Sequence, residues 1–189
     1  MKLARIMYVG FAMFSVAACS TVYIEEPIGT EVVQVEADDW EGVWVGSDDD
    51  TFFFRVGVRD RDAGILWMAG IGEHDGEPTL ESMAVYVRRS PYLGDGQWLI
   101  SIEDEDRYLW LLAVETEDED YLVLYAPDVA KFHALVEEGK LPGHNAGAKS
   151  GSDVYLDRLG PEHLETIFAD ESGTFFAWQK PYILRRVAR

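Results

Sequence analysis

The sequence predicts a mainly β protein, an antiparallel meander forming a barrel or strongly curved sheet, with two short helices in its C-terminal third. Three observations lead there. From Trp40 onward, short runs of alternating apolar residues follow one another, separated by acidic or glycine turns. Two of the later runs are apolar on both faces, so a further layer must pack outside the sheet. No long helical run or regular strand–helix alternation covers the chain, which argues against a doubly wound α/β fold.

Taken in order, residues 20–39 read as a tether, interrupted by Pro27 and Gly29, with a short strand offered at 32–35. The domain proper is expected over 40–189. Residues 51–59 place Phe52, Phe54, Val56 and Val58 on one face, and 97–103 do the same with Trp98, Ile100 and Ile102. Residues 108–114 alternate Tyr108, Trp110, Leu112 and Val114 against Leu109 and Leu111 on the other face, and 121–125 are likewise apolar on both sides. The covering layer is expected from two helices. Asp128 is a good N-cap for the first, whose stripe is Val129, Phe132, Leu135 and Val136; Gly139 and Pro142 end it. Pro161 opens the second, which buries Leu164, Ile167 and Phe168. Between them, 141–153 reads as a small-residue loop, and 182–187 as the last strand.

The chain has 189 residues, 48% of them apolar and 13% aromatic, enough for one packed domain plus some N-terminal length. Its formal charge is −19, from 35 acids against 16 bases. All of the acids lie beyond Cys19, whereas Lys2 and Arg5 precede it. Such a surface repels phosphates, so neither nucleic acid nor anionic lipid head groups are expected partners.

The single cysteine closes an apolar run. After Lys2 and Arg5, residues 6–18 (IMYVGFAMFSVAA) carry no charge, and 13 residues fall short of the roughly 20 that span a bilayer. The segment 1–18 therefore reads as a signal peptide. Val16-Ala17-Ala18-Cys19 resembles the lipobox of bacterial lipoproteins: an aliphatic residue, two small ones and cysteine. The resemblance implies a diacylglyceryl group on the Cys19 sulfur, cleavage between Ala18 and Cys19, and acylation of the new amine. Two or three acyl chains hold a protein firmly, at about 0.8 kcal/mol per buried methylene. Ser20 after the cysteine implies sorting to the outer membrane, with residues 19–39 as lipidated N-terminus and tether on its periplasmic face.

A second resemblance rests on Gly42-Val43-Trp44, which is similar to the Gly-x-Trp element of lipocalins and avidin-like barrels. Tight turns expected at 47–50 and 62–64 favour the avidin-like form. The resemblance implies that Trp44 packs at a closed barrel end near a late basic residue, Arg185 or Arg186. The two late helices depart from the avidin-like pattern, and no ligand is carried over.

Catalytic motifs are sparse. Neither a Gly-x-Ser-x-Gly elbow, a phosphate-binding glycine loop nor a paired-cysteine zinc pattern is present. His133 and Glu137, four apart on a helix, have metal-compatible spacing but no second histidine nearby. His74 falls in a turn, His144 in the glycine-rich loop, and His163 in no motif. The runs 48–50, 103–106 and 117–120 are contiguous acids whose side chains splay apart, unlike a calcium loop, and read as solvated turns. No catalytic residue, metal or cofactor is assigned. Aromatics are more suggestive: Trp44, Phe54, Trp67, Tyr86, Trp98 and Trp110, converging inside a barrel, either fill it or line a pocket for a small apolar ligand. The expected function is a lipid-anchored envelope protein with a binding or structural role, its partner another envelope protein or such a ligand. The alternative is a periplasmic hydrolase using carboxylates or a histidine assembled by the fold.

Overall fold

The computed structural model describes residues 20–47, 51–74, 77–149, 151–168 and 175–189. Eight strands close into an antiparallel barrel: β3 (Gly42–Ser47), β4 (Thr51–Asp60), β5 (Ile65–His74), β6 (Glu77–Arg89), β7 (Gln97–Asp104), β8 (Arg107–Glu115), β9 (Tyr121–Tyr125) and β12 (Tyr182–Ala188). Each pairs with the next. β12 returns between β9 and β3, matching Ile183 with Val123 on one side and with Ser47 on the other.

Alternation decides what faces inward. Phe54 and Val56 of β4, Leu66 and Met68 of β5, and Ile100 and Ile102 of β7 are all buried in one cluster inside the barrel. The turn from β4 to β5 is tight because Gly64 takes φ +63° and lies against the carbonyl oxygens of Val33 and Val87, where a Cβ would come within 2.5 Å and 2.8 Å.

A second core lies outside the barrel. The outward residues Trp110 and Leu112 of β8 and Leu99 of β7 pack with α2 (Val129–Glu137) and α3 (Pro161–Phe168) through Phe132, Leu135, Leu164 and Ile167. Asp128 Oδ1 caps α2, accepting from Ala130 N at 3.0 Å and Lys131 N at 3.3 Å. Trp110 meets Phe132 and Phe176 edge to face, with ring centres 5.4 Å and 5.8 Å apart. Burying each such ring contributes about 1.5–3 kcal/mol. The two-sided apolar pattern of β8 thus has the covering layer that it requires.

Residues 20–39 are not a tether; they belong to the folded body. β1 (Val22–Ile24) pairs in parallel with β11 (Val154–Leu156) and antiparallel with β8. β2 (Glu31–Val32) pairs with β6, and the single turn α1 (Ala37–Trp40) leads into β3. Val22, Ile24, Ile28 and Val35 are at most 2% exposed. The physical reason is tertiary: a three-residue strand has no pattern of its own, and its partner β11 lies 132 residues later, where Thr21 N donates to Asp153 Oδ1. The expected 141–153 loop also contributes β10 (Gly143–Asn145), paired with β11.

One consequence of this topology positions the site. β8 gives the same edge to two partners: Leu112–Glu115 pair with β9, whereas Tyr108 and Leu109 pair with β1. The barrel wall forks there.

Candidate functional site

The barrel interior is nearly full. A void of about 60 Å³ remains, lined wholly by apolar side chains that include Trp44, Phe54 and Leu184. Of the six aromatics expected to converge, Trp44, Phe54 and Trp98 belong to the interior cluster. The other three do not. Trp67 lies on the outside over Gly57, where an added Cβ would come within 2.4 Å of its indole. Tyr86 faces outward against Tyr108, centres 5.4 Å apart, beneath the Arg88 guanidinium. Trp110 anchors the outer core. Strand phase is the cause: residues directly opposite in the ladder share a face, and neighbours along a strand do not.

A larger cavity, among the described residues, lies at the fork. It holds about 370 Å³ between the lower half of β8, β1 and the segments 126–129 and 177–182. That is within the usual range for a small-molecule site. Leu109, Val129, Ala126 and Ala177 make its walls apolar, with Thr21, Asp153 and the exposed Lys180 as polar members. Ile102 and Leu111 line both this cleft and the interior void, so the two spaces share part of a wall. Trp110, 1% exposed, also lines the cleft, and its Nε1 has no hydrogen-bond partner among the described residues. A buried donor left unsatisfied costs about 1–3 kcal/mol. Ser20 lines the cleft as well. Burial, reinforced by Asp104 and Asp153, pushes the Tyr23 phenol up to about 12. It therefore stays a neutral donor at the cleft's edge.

The opposite end is closed by α1. Of the two late arginines, Arg186 is the one over Trp44, its Cζ 5.4 Å from the ring centre, while Arg185 lies over Tyr121. Arg186 Nε donates to Asp120 Oδ1 at 3.0 Å, Nη1 to the carbonyls of Asp38 and Asp39 at 2.9 Å each, and Nη2 to that of Glu119 at 3.3 Å. Trp44 Nε1 donates to Trp40 O at 3.1 Å. A cavity of about 160 Å³ opens beside this pair, walled by Trp40, Trp98 and Tyr121 and by the exposed carboxylates Asp39, Glu115 and Glu119.

Three of the four histidines have partners within the scaffold. His133 is 3% exposed; its Nε2 is 3.1 Å from Gly147 O, and its Nδ1 is 3.6 Å from Glu137. His163 Nδ1 accepts from Gly160 N at 2.9 Å at the start of α3, and His144 stacks on Tyr155. The side chain of His74 and the run 48–50 lie outside the described residues, as does Cys19. Among the described residues, no three His, Cys, Asp or Glu groups are placed to hold a metal ion. No helix among them is long and apolar enough to cross a membrane. One acid of the 117–120 run does more than solvate a turn: Asp120 holds Arg186. Nothing in a contiguous acidic run distinguishes that member, since its partner is 66 residues away.

The chain matches no family model, no curated protein and no solved structure in the comparisons.

Proposed function

We propose that this is a lipid-anchored protein of the bacterial cell envelope, held at the periplasmic face of the outer membrane through Cys19, whose domain binds an acyl-type ligand in the forked cleft. The observation that carries the binding role is the cleft itself: a mainly apolar space of about 370 Å³ whose wall includes Trp110, a buried residue whose indole N–H has no partner among the described residues. An alkyl chain suits the walls, and a carbonyl or carboxylate oxygen suits Trp110, with Lys180 near the mouth for an acid. Support for the anchor comes from the lipobox-like Val16-Ala17-Ala18-Cys19, and the position of Ser20 on the cleft wall would bring the mouth close to the lipid surface. The Trp44–Arg186 pair supports the lipocalin- or avidin-like reading of the barrel.

The test is uptake of a fluorescent fatty acid by the full-length protein in non-ionic detergent, alongside native mass spectrometry of protein extracted from its own envelope. Saturable uptake, displaced by unlabelled fatty acid and lost in an Ala126→Phe variant that still folds, is the expected result. Uptake that does not saturate, or that survives in Ala126→Phe, would remove the cleft from the binding role and leave a structural one.

A further inference from the structure

The cavity at the closed end differs in chemistry from the cleft, and its walls select a ligand by elimination. Hydrocarbon is disfavoured, because three exposed acids, Asp39, Glu115 and Glu119, are among the lining residues, and their carboxylates need water or a cation. An anion is disfavoured by the same charges, and the one cation among the described wall residues cannot compensate. The Arg186 guanidinium is directed to Asp120 and to three main-chain carbonyls, and Asp120 already offsets its charge.

What remains is a cation with an apolar skirt. Trp40 and Trp98 meet at 69° with ring centres 5.6 Å apart, forming an aromatic corner, and both are half-buried and so partly open to the cavity. An indole face attracts a cation within about 6 Å of its centre. The same wall already seats one such contact, Arg186 on Trp44 at 5.4 Å. With the net charge of −19 around it, the cavity also lies in a field that draws cations in.

We propose that this cavity binds a small organic ammonium group, of the quaternary or alkylammonium type, in the corner of Trp40 and Trp98 with Glu115 and Glu119 as counter-charges. The volume of about 160 Å³ admits such a head group and little more. The site is separate from the fork: it adjoins Glu115 at one end of β8, whereas the cleft adjoins Leu109 towards the other.

The experiment titrates the full-length protein in non-ionic detergent with choline chloride, read by tryptophan fluorescence and calorimetry. Sodium chloride at matched ionic strength and the neutral carbon isostere of choline are the controls. Saturable binding of choline is expected, without binding of the isostere. Trp98→Leu and Glu115→Gln, checked for native melting, should each weaken it about tenfold. Glu115→Gln changes an exposed carboxylate conservatively, so a folded protein remains to be tested even if Trp98→Leu unfolds. The proposal is overturned if choline shows no saturation by roughly 100 mM, if the isostere binds equally, or if Glu115→Gln binds choline as tightly as the parent.

Discussion

Arg186, near the end of the chain, lays its guanidinium 5.4 Å from the ring centre of Trp44, near the start of the barrel. The side chain of Arg186 is 2% exposed, and it ties the last strand to α1 and to the 117–120 loop in one contact. A buried charge persists only where hydrogen bonds replace its water, and here main-chain carbonyls supply most of them. The pair therefore acts as a lid on one end of the barrel.

Trp44→Ala removes the ring beneath that lid and leaves a cavity beside the existing 60 Å³ void. The expected cost is about 3–5 kcal/mol. Denaturant melts of the full-length chain in detergent measure it. A variant as stable as its parent would take Trp44 out of the core.

Arg186 and Asp120 separate the carbonyl contacts from the ion pair. The Asp120 side chain is 53% exposed, so Asp120→Asn should cost no more than about 1 kcal/mol. Arg186→Met also removes the charged hydrogen bonds to the carbonyls of Asp38, Asp39 and Glu119, each worth about 1.5–3 kcal/mol. It should therefore be much the more damaging of the two. Equal melting temperatures for the two variants would mean that the exposed carboxylate, not the main chain, holds Arg186.

Much of the barrel is legible in the sequence because its strands report their own faces. Phe54 to Val58 alternate cleanly, and the two-sided runs at 108–114 and 121–125 announce an outer layer. The helix N-cap at Asp128 is equally local. What fails to show is whatever depends on distant partners. Val22-Tyr23-Ile24 becomes a strand only because Val154-Tyr155-Leu156 lies beside it. Trp67, Tyr86 and Trp110 could be counted as aromatic, but whether each faced in or out required the register of its neighbours. The fork in β8, and with it the cleft, follows from a strand that shares one edge between two partners, which no single-strand pattern encodes.

The anchor has its own test. Cys19→Ala should accumulate as an unprocessed precursor that takes up no labelled palmitate. Mature-sized protein held at the membrane in that variant would defeat the anchor. The outcome is independent of the cleft, because processing and palmitate labelling report on Cys19 alone.

Two groups near the fork should make stability depend on pH, in directions set by burial. Asp104 is held above the usual carboxylate value, first by burial and then by Glu105 and Asp106. The folded state therefore binds its proton more tightly than the unfolded chain does. Stability from this residue is fully present below the unfolded value, near 3.8, and is lost as pH rises through the higher folded value. Asp104→Asn should accordingly melt higher than its parent at neutral pH and lose that advantage in acid. Tyr23 repeats the logic at the alkaline end, since its phenol moves from 10.0 to about 12. Between those values the unfolded chain gives up the proton first, so stability falls as pH rises, and Tyr23→Phe should flatten that limb. Each variant is compared with its parent at the same pH, so the repulsion among the remaining acids largely cancels. An Asp104→Asn difference of the same size at pH 3 and pH 7 would mean that Asp104 ionises as freely in the folded protein as in the unfolded chain.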